Sequence, residues 1–199
     1  MAKISTHIEI FDGQVLLDDK PYFTSENQDF KAFSKALYQQ LDISYPKFYK
    51  MDNLCKLAFL ASEIILQQTQ EKNIALIFGN KEGSLDSDLQ HQALIQDPEN
   101  YYPSPAVFVY TLPNICIGEV SIRHQLLTES MFLVADEYPI GDIADYTAYL
   151  LEQQKAKMVL CGWLKMHDNS YSASFYLVST SGSLAHNEKN IHDIVHKKA

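Results

Sequence analysis

Arginine is almost missing from this sequence. Of 16 basic residues only Arg123 carries a guanidinium, against 25 acidic residues and a formal net charge of −9. Without a guanidinium cluster nothing grips phosphate oxygens or guanine edges in a bidentate fashion, so nucleic acid is excluded as an expected partner. Cysteine is scarce as well. Cys55, Cys116 and Cys161 are odd in number, far apart and make no C-x-x-C pair, which argues against a disulfide framework and a zinc site and fits a reducing, cytoplasmic setting. No apolar run approaches the ~20 residues of a membrane span. The first ten residues alternate polar and apolar side chains, which reads as a strand and not as a secretion signal. Low-complexity segments and fixed-period repeats are also missing, and the seven glycines and seven prolines are scattered. The composition points to no cofactor, no metal and no membrane.

What remains is a chain of 199 residues that is 46% apolar, enough for one well-buried core. Ile4, Ile8 and Ile10 fall on one face of a strand over residues 3–10, and Asp12-Gly13 turns it into a second apolar stretch over residues 15–17, predicting a hairpin. Phe33, Leu37 and Leu41 predict a helix over residues 30–41. Residues 51–70 form the longest helical pattern, apolar on most sides. The continuous apolar run over residues 74–78, closed by Gly79, has the pattern of a strand covered on both faces. Further helices are predicted over residues 85–95, over 112–124 with Pro113 in the first turn, and over 143–154 with Asp142 as N-cap. Strands are predicted over residues 131–135, 158–164 and 172–178. The expected architecture is an α/β layered fold with a mostly parallel sheet and an antiparallel ending. It occupies residues 1–180 and is followed by a polar tail, at most a short helix, over 181–199.

Several segments resemble the β-ketoacyl synthases. Leu112-Pro113-Asn114-Ile115-Cys116-Ile117-Gly118-Glu119-Val120-Ser121-Ile122 is similar to that family's Leu-Pro-Asn-x-x-x-Gly-x-x-x-Ile helix. Met51-Asp52 opening an Ala/Leu-rich helix, Phe78-Gly79 followed by Gly83 and Leu85, and Met158-Val159-Leu160-Cys161-Gly162 resemble further family segments in the same order. Trp163 stands where the family has the second glycine of a Gly-Gly turn, and the glycine-rich turn after the first strand is absent. The resemblance covers residues 50–165 well. It implies half of a thiolase-like fold, a five-stranded mixed sheet in the order β-α-β-α-β-α-β-β with helices on both faces. It further implies a nucleophilic cysteine after the third strand and two histidines in a second half, for which this sequence has no counterpart.

Where the resemblance places the cysteine, the sequence reads Asp136-Glu137-Tyr138-Pro139. A carboxylate beside a helix start is stabilised by the helix dipole and is a poor nucleophile toward a thioester. The expectation is a vestigial position at Glu137 or Asp136 with no catalytic residue. The alternative is a carboxylate pair that decarboxylates a malonyl group. Cys116 and Cys161 sit in apolar contexts and read as small buried hydrophobes. His186, His192, Asp193 and His196 form a possible metal cluster, set aside in favour of a polar tail. Arg123-His124 is placed at a helix end, capping the last carbonyls or crossing an interface.

The resemblance implies that the third strand lies at the sheet edge and pairs with a second subunit, and that the Leu-Pro-Asn helix contacts the dimer seam. Tyr110, Leu112, Pro113, Asn114, Ile117, Gly118, Phe132 and Val134 are therefore expected at an interface or acyl tunnel. Removing half of such a fold also leaves a helix layer without its mate, and each uncovered Å² of apolar surface forgoes ~25 cal/mol. The expected role is a non-catalytic subunit that pairs with a full-length synthase in fatty-acid-like or polyketide-like biosynthesis, aryl polyene pigments included. The synthase would supply the basic patch on which acyl carrier protein docks. A homodimeric acyl-binding scaffold is the other reading.

Overall fold

A strand that is apolar on both faces must be covered on both, and residues 74–80 set that requirement. The computed structural model describes residues 2–99 and 101–196. In chain order the elements are β1 (Lys3–Phe11), β2 (Gln14–Leu17), β3 (Lys20–Thr24), α1 (Phe30–Gln40), α2 (Asn53–Leu66), β4 (Ile74–Asn80), α3 (Leu85–Ile95), α4 (Pro105–Phe108), α5 (Ile115–His124), β5 (Ser130–Val134), α6 (Ile140–Glu152), β6 (Met158–His167), β7 (Ser170–Ser179), β8 (Leu184–Ala185) and α7 (Glu188–Val195). The strands form one sheet in the order β3-β2-β1-β7-β6-β4-β5, with β8 paired to β1. Every residue of β4 is buried.

One face of the sheet is covered by α1, α2 and α5. There Leu57, Leu60, Ile64, Cys116 and Val120 meet Leu76, Phe78, Leu160 and Phe175. The other face is covered by α6 and α7, where Ile143, Leu150, Ile191 and Ile194 meet Ala75, Ile77, Val159 and Tyr176. The α2 helix starts at Asp52, whose carboxylate accepts a hydrogen bond from the Cys55 backbone N–H at 2.9 Å, a standard N-cap. Gly162 is demanded by packing. A Cβ there would lie 2.6 Å from the Phe175 ring, which in turn packs on Phe78 with centroids 4.7 Å apart.

The layered α/β class and the helices on both faces agree with the sequence reading, and four of its expectations are corrected. The sheet has eight strands, not five, because the N-terminal hairpin continues into β3 and β8 adds to β1. It is not mostly parallel: only β5-β4-β6 run parallel, while β6, β7, β1, β2 and β3 pair antiparallel. Two helix starts shift. Leu112 is extended and Pro113 lies in the turn before α5, and α6 begins at Ile140 after Pro139, so Asp142 sits in its first turn and not at the cap. Finally, the segment after residue 180 is not polar throughout, since its short helix α7 packs on the core. Ile191, Ile194 and Val195 make a stripe at helical spacing that is buried against β7 and α6. Lys197 and Lys198 lie outside the described residues.

Arg123 neither caps a carbonyl nor reaches out of the molecule. Its Nη2 lies 2.7 Å and its Nε 3.1 Å from the two oxygens of Glu63, which is 1% exposed on α2. His124 Nε2 lies 3.1 Å from the same carboxylate, and the guanidinium sits over the Tyr45 ring, 5.5 Å from its centroid. Burial pushes the Glu63 pKa up, but hydrogen bonds from His124 and Arg123 and their charges outweigh it and bring it to about 2 from 4.5. This pair clamps α2 to α5.

Two outcomes are expected. Glu63→Gln leaves a bidentate guanidinium half-paired and costs about 3 kcal/mol in urea unfolding at pH 7. Because the folded pKa is depressed, the wild-type contribution, about 3 kcal/mol from the size of the shift, is complete above pH 4.5 and drains away as pH falls toward 2; the gap between variant and wild type should close over that window. Cys55, Cys116 and Cys161 are all buried, and burial raises each thiol, Cys161 to about 12. Ellman's reagent at pH 8 should therefore label none of the three in the native protein and all of them in 6 M guanidinium.

Candidate functional site

At one end of the sheet β3 presents Lys20 and Pro21, residues that blunt an edge. At the other end β5 presents Ser130-Met131-Phe132-Leu133-Val134 with neither device. Its inner side pairs with β4 in register Phe78↔Phe132 and Asn80↔Val134, and its other side has no strand neighbour among the described residues.

Beside this edge, the start of α5 and one face of β5 enclose an open groove of about 500 Å³ lined by Pro113, Asn114, Ile117, Gly118, Ser130, Phe132 and Val134. Ser130, Phe132 and Val134 share a face because strand side chains alternate. Gly118 makes the helix side of the groove shallow, since a Cβ there would meet nothing within 4 Å. Six of the eight residues that sequence singled out thus line one depression. The other two do not. Tyr110 turns inward to Glu119, and burial, followed by the Glu119 charge, raises its phenol to about 12. Glu119 in turn is held by Lys47 Nζ at 2.8 Å. Leu112 is exposed outside the groove.

More apolar surface continues around the groove. Val134 is 58% exposed, Ile122 on α5 63%, and Leu127, in the connection from α5 to β5, 97%. Phe108, Val109, Tyr101 and Tyr102 are exposed on the approach to α5. Scattered exposed apolar residues are ordinary, whereas a concentration next to an unpaired strand marks an interaction surface. Sequence periodicity missed Leu127 because it lies between elements.

Asp136 and Glu137, which follow β5, are both exposed, and Asp136 Oδ1 lies 3.5 Å from Lys81 Nζ. At the carboxyl ends of parallel strands, where α/β sheets commonly place ligands, the space is filled by rings. Trp163 packs edge-on against Tyr138 at 5.5 Å, and the Trp163 ring approaches Gly79 so closely that a Cβ there would lie 3.0 Å from it. The Tyr138 and Tyr176 hydroxyls meet at 2.8 Å in the interior. The sequence signal was visible as a departure, a tryptophan in place of a glycine, but its steric effect needed the fold. The histidine-rich segment is divided. His192 and His196 stack at 4.5 Å on α7 and Asp193 Oδ1 lies 3.9 Å from His192 Nδ1, whereas His186 packs at 5.8 Å from the Tyr176 ring, where burial lowers its pKa to about 4.

No protein-family model and no curated protein matches the chain. Solved structures do. The chain superimposes on the ketosynthase ApeO in complex with its chain length factor ApeC from Xenorhabdus doucetiae with a TM-score of 0.61 and 14% identity, over 92% of this chain and 81% of the matched one. The ishigamide ketosynthase/chain length factor gives a TM-score of 0.63 and 13% identity, over 90% and 62%. AntDE:AntF, a type II polyketide synthase acyl-carrier protein in complex with its ketosynthase bound to the hexaketide, gives 0.59 and 13%, over 89% and 62%. The chain thus spans less than two thirds of the length of the last two. At such identities the likeness is one of fold: a mixed α/β sheet with helices on both faces and β5 at its edge, like that of the ketosynthase-containing structures matched.

Proposed function

We propose that this protein is a non-catalytic, chain-length-factor-like subunit that pairs through the β5 edge with a full-length β-ketoacyl synthase and shapes the acyl tunnel of that partner. The observation that carries the reading is the open β5 edge flanked by the groove of Pro113, Asn114, Ile117, Gly118, Phe132 and Val134. An apolar strand with one bare row of N–H and C=O groups is completed by another strand. Two of the structural neighbours come from complexes of a ketosynthase with a chain length factor, which supports a synthase as the occupant. The chain matched in the first of them is only slightly longer than this one, since the same aligned residues cover 92% of one and 81% of the other.

The chemistry of the chain agrees. Condensation needs a thiolate, and all three thiols are buried with raised pKa. Decarboxylation by Asp136 and Glu137 is set aside, because both are exposed and line none of the described pockets that could hold a malonyl group beside them. Acyl carrier proteins are acidic, so a chain of net charge −9 leaves their docking to the synthase. Polyene or polyketide pigment synthesis in the cytoplasm is the setting this reading favours.

Co-expression with the full-length synthase encoded beside it, followed by size exclusion, tests the proposal. Wild type should co-elute with the synthase and alter its product length. Val134→Glu combined with Leu127→Glu should weaken the complex at least tenfold, since a charge is forced into a desolvated strand contact, while the melting temperature of the free protein stays unchanged. Separate elution of the wild-type chains with unchanged products, or a stable symmetric homodimer that excludes the synthase, would overturn it.

A further inference from the structure

A second constellation lies on the opposite part of the sheet from the groove, where β1 is separated from β5 by β7, β6 and β4. His7 and Glu9 are two residues apart on β1, so they share one face of the sheet, and both are buried. The turn from β2 to β3 is Asp18-Asp19, with φ of 49° and 65°, and this left-handed pair brings both carboxylates back to β1. Asp19 Oδ1 lies 3.1 Å from His7 Nε2. Asp18 Oδ1 lies 3.4 Å from His7 Nδ1 and is itself fixed by the His7 backbone N–H at 2.8 Å and the Thr6 hydroxyl at 3.0 Å. One ligand atom each from His7, Glu9 and Asp19 lies within 4.8 Å of the other two.

These positions have the spacing of groups arranged around one ion at the ~2.0–2.2 Å reach of imidazole nitrogen and carboxylate oxygen. The surroundings add a second feature. Metal-bound histidines usually hand their other ring N–H to a carboxylate, which fixes the tautomer; Asp18, held in place by three hydrogen-bonding or ionic contacts to Thr6 and His7, stands where that role requires. Glu9, 3% exposed, forms the buried end of the cluster and Asp19 its exposed end. We infer that His7 Nε2, Glu9 and Asp19 form a site for a divalent first-row transition ion, Zn²⁺ or Mn²⁺, with Asp18 orienting the imidazole. One imidazole with two carboxylates is too rich in nitrogen for a dedicated Ca²⁺ or Mg²⁺ cage and too poor in sulfur for a thiolate site. Asp19 is half exposed, so the ion keeps water at its outer positions. Its consequence is mechanical, tying the β2–β3 turn to the central strands, and it is independent of the partner proposed above.

Calorimetric titration of chelator-treated protein with ZnCl₂ and MnCl₂, with MgCl₂ as control, tests the site. The parent is the variant His192→Ala with His196→Ala, which removes the exposed, stacked pair as a competing source of imidazole. The expected result is one Zn²⁺ or Mn²⁺ per chain, at least a tenfold preference over Mg²⁺, and a melting temperature that rises with metal concentration. Asp19→Asn, which keeps the left-handed turn, and His7→Gln should each weaken binding at least tenfold, with native circular dichroism confirming the fold. No binding to the parent up to millimolar metal, or binding that Asp19→Asn leaves unchanged, would overturn the assignment and leave His7 as an ordinary ion-paired histidine.

Discussion

Strand β4 offers no face to water, and the placement of every neighbouring element follows from covering it. Its seven residues are buried, so helices must lie above and below, and parallel strands must flank it because each is reached by a helical crossover. On one side the cover is α2, apolar nearly all round and buried over twelve of its residues. A helix buried that deeply has little room for charge, yet it carries Glu63. The fold resolves the conflict by matching that carboxylate with the chain's one guanidinium, so a composition nearly empty of arginine spends it in the interior and not at the surface.

The second helix layer changes the account of what an isolated half-fold leaves bare. The outward positions of α6 include Asp142, Asp145, Tyr149 and Glu152, all exposed, and α7 lies alongside α6 and contributes Ile191, Ile194 and Val195 to that core. This layer is finished with polar groups and needs no mate. The unfinished side is the β5 edge, where apolar side chains coincide with a strand flank that has no strand neighbour among the described residues. In the proposed reading the partner is therefore met by the strand and not by the helices, a different location from the one that counting missing elements suggests.

Much of this could be read from the chain. The β4 strand, the α2 and α3 helices and the Leu-Pro-Asn segment were legible because each is long, strongly periodic or punctuated by glycine and proline. The β3 and β8 strands were not, because Pro21 and the brevity of Leu184-Ala185 hide their pairing. The C-terminal segment was read as a polar tail with at most a short helix, and the packing of that helix was hidden because three apolar residues among charged ones look polar on average, although their spacing is that of a buried stripe. The groove was legible in six of its seven lining residues through a family resemblance. The His7, Glu9 and Asp19 constellation was invisible, since a turn and a strand brought together by pairing leave no spacing signature in the sequence.

The register of β1 has a cost in time. Lys3 faces Ser179 and Phe11 faces Ser172 across the β1–β7 ladder, so one flank of the first strand made is completed by nearly the last. During ribosomal synthesis at ~5–20 residues per second, that flank waits roughly ten to thirty seconds for its neighbour. The local hairpin with β2 shields the opposite flank at once, but Ile8 and Ile10 on one face, and Ile4, which a register shift before Thr6 turns to the other face and not to the same one as the sequence pattern suggests, stay uncovered meanwhile. Such long-range closure makes for slow folding, because the β1–β7 ladder cannot form until β7 emerges.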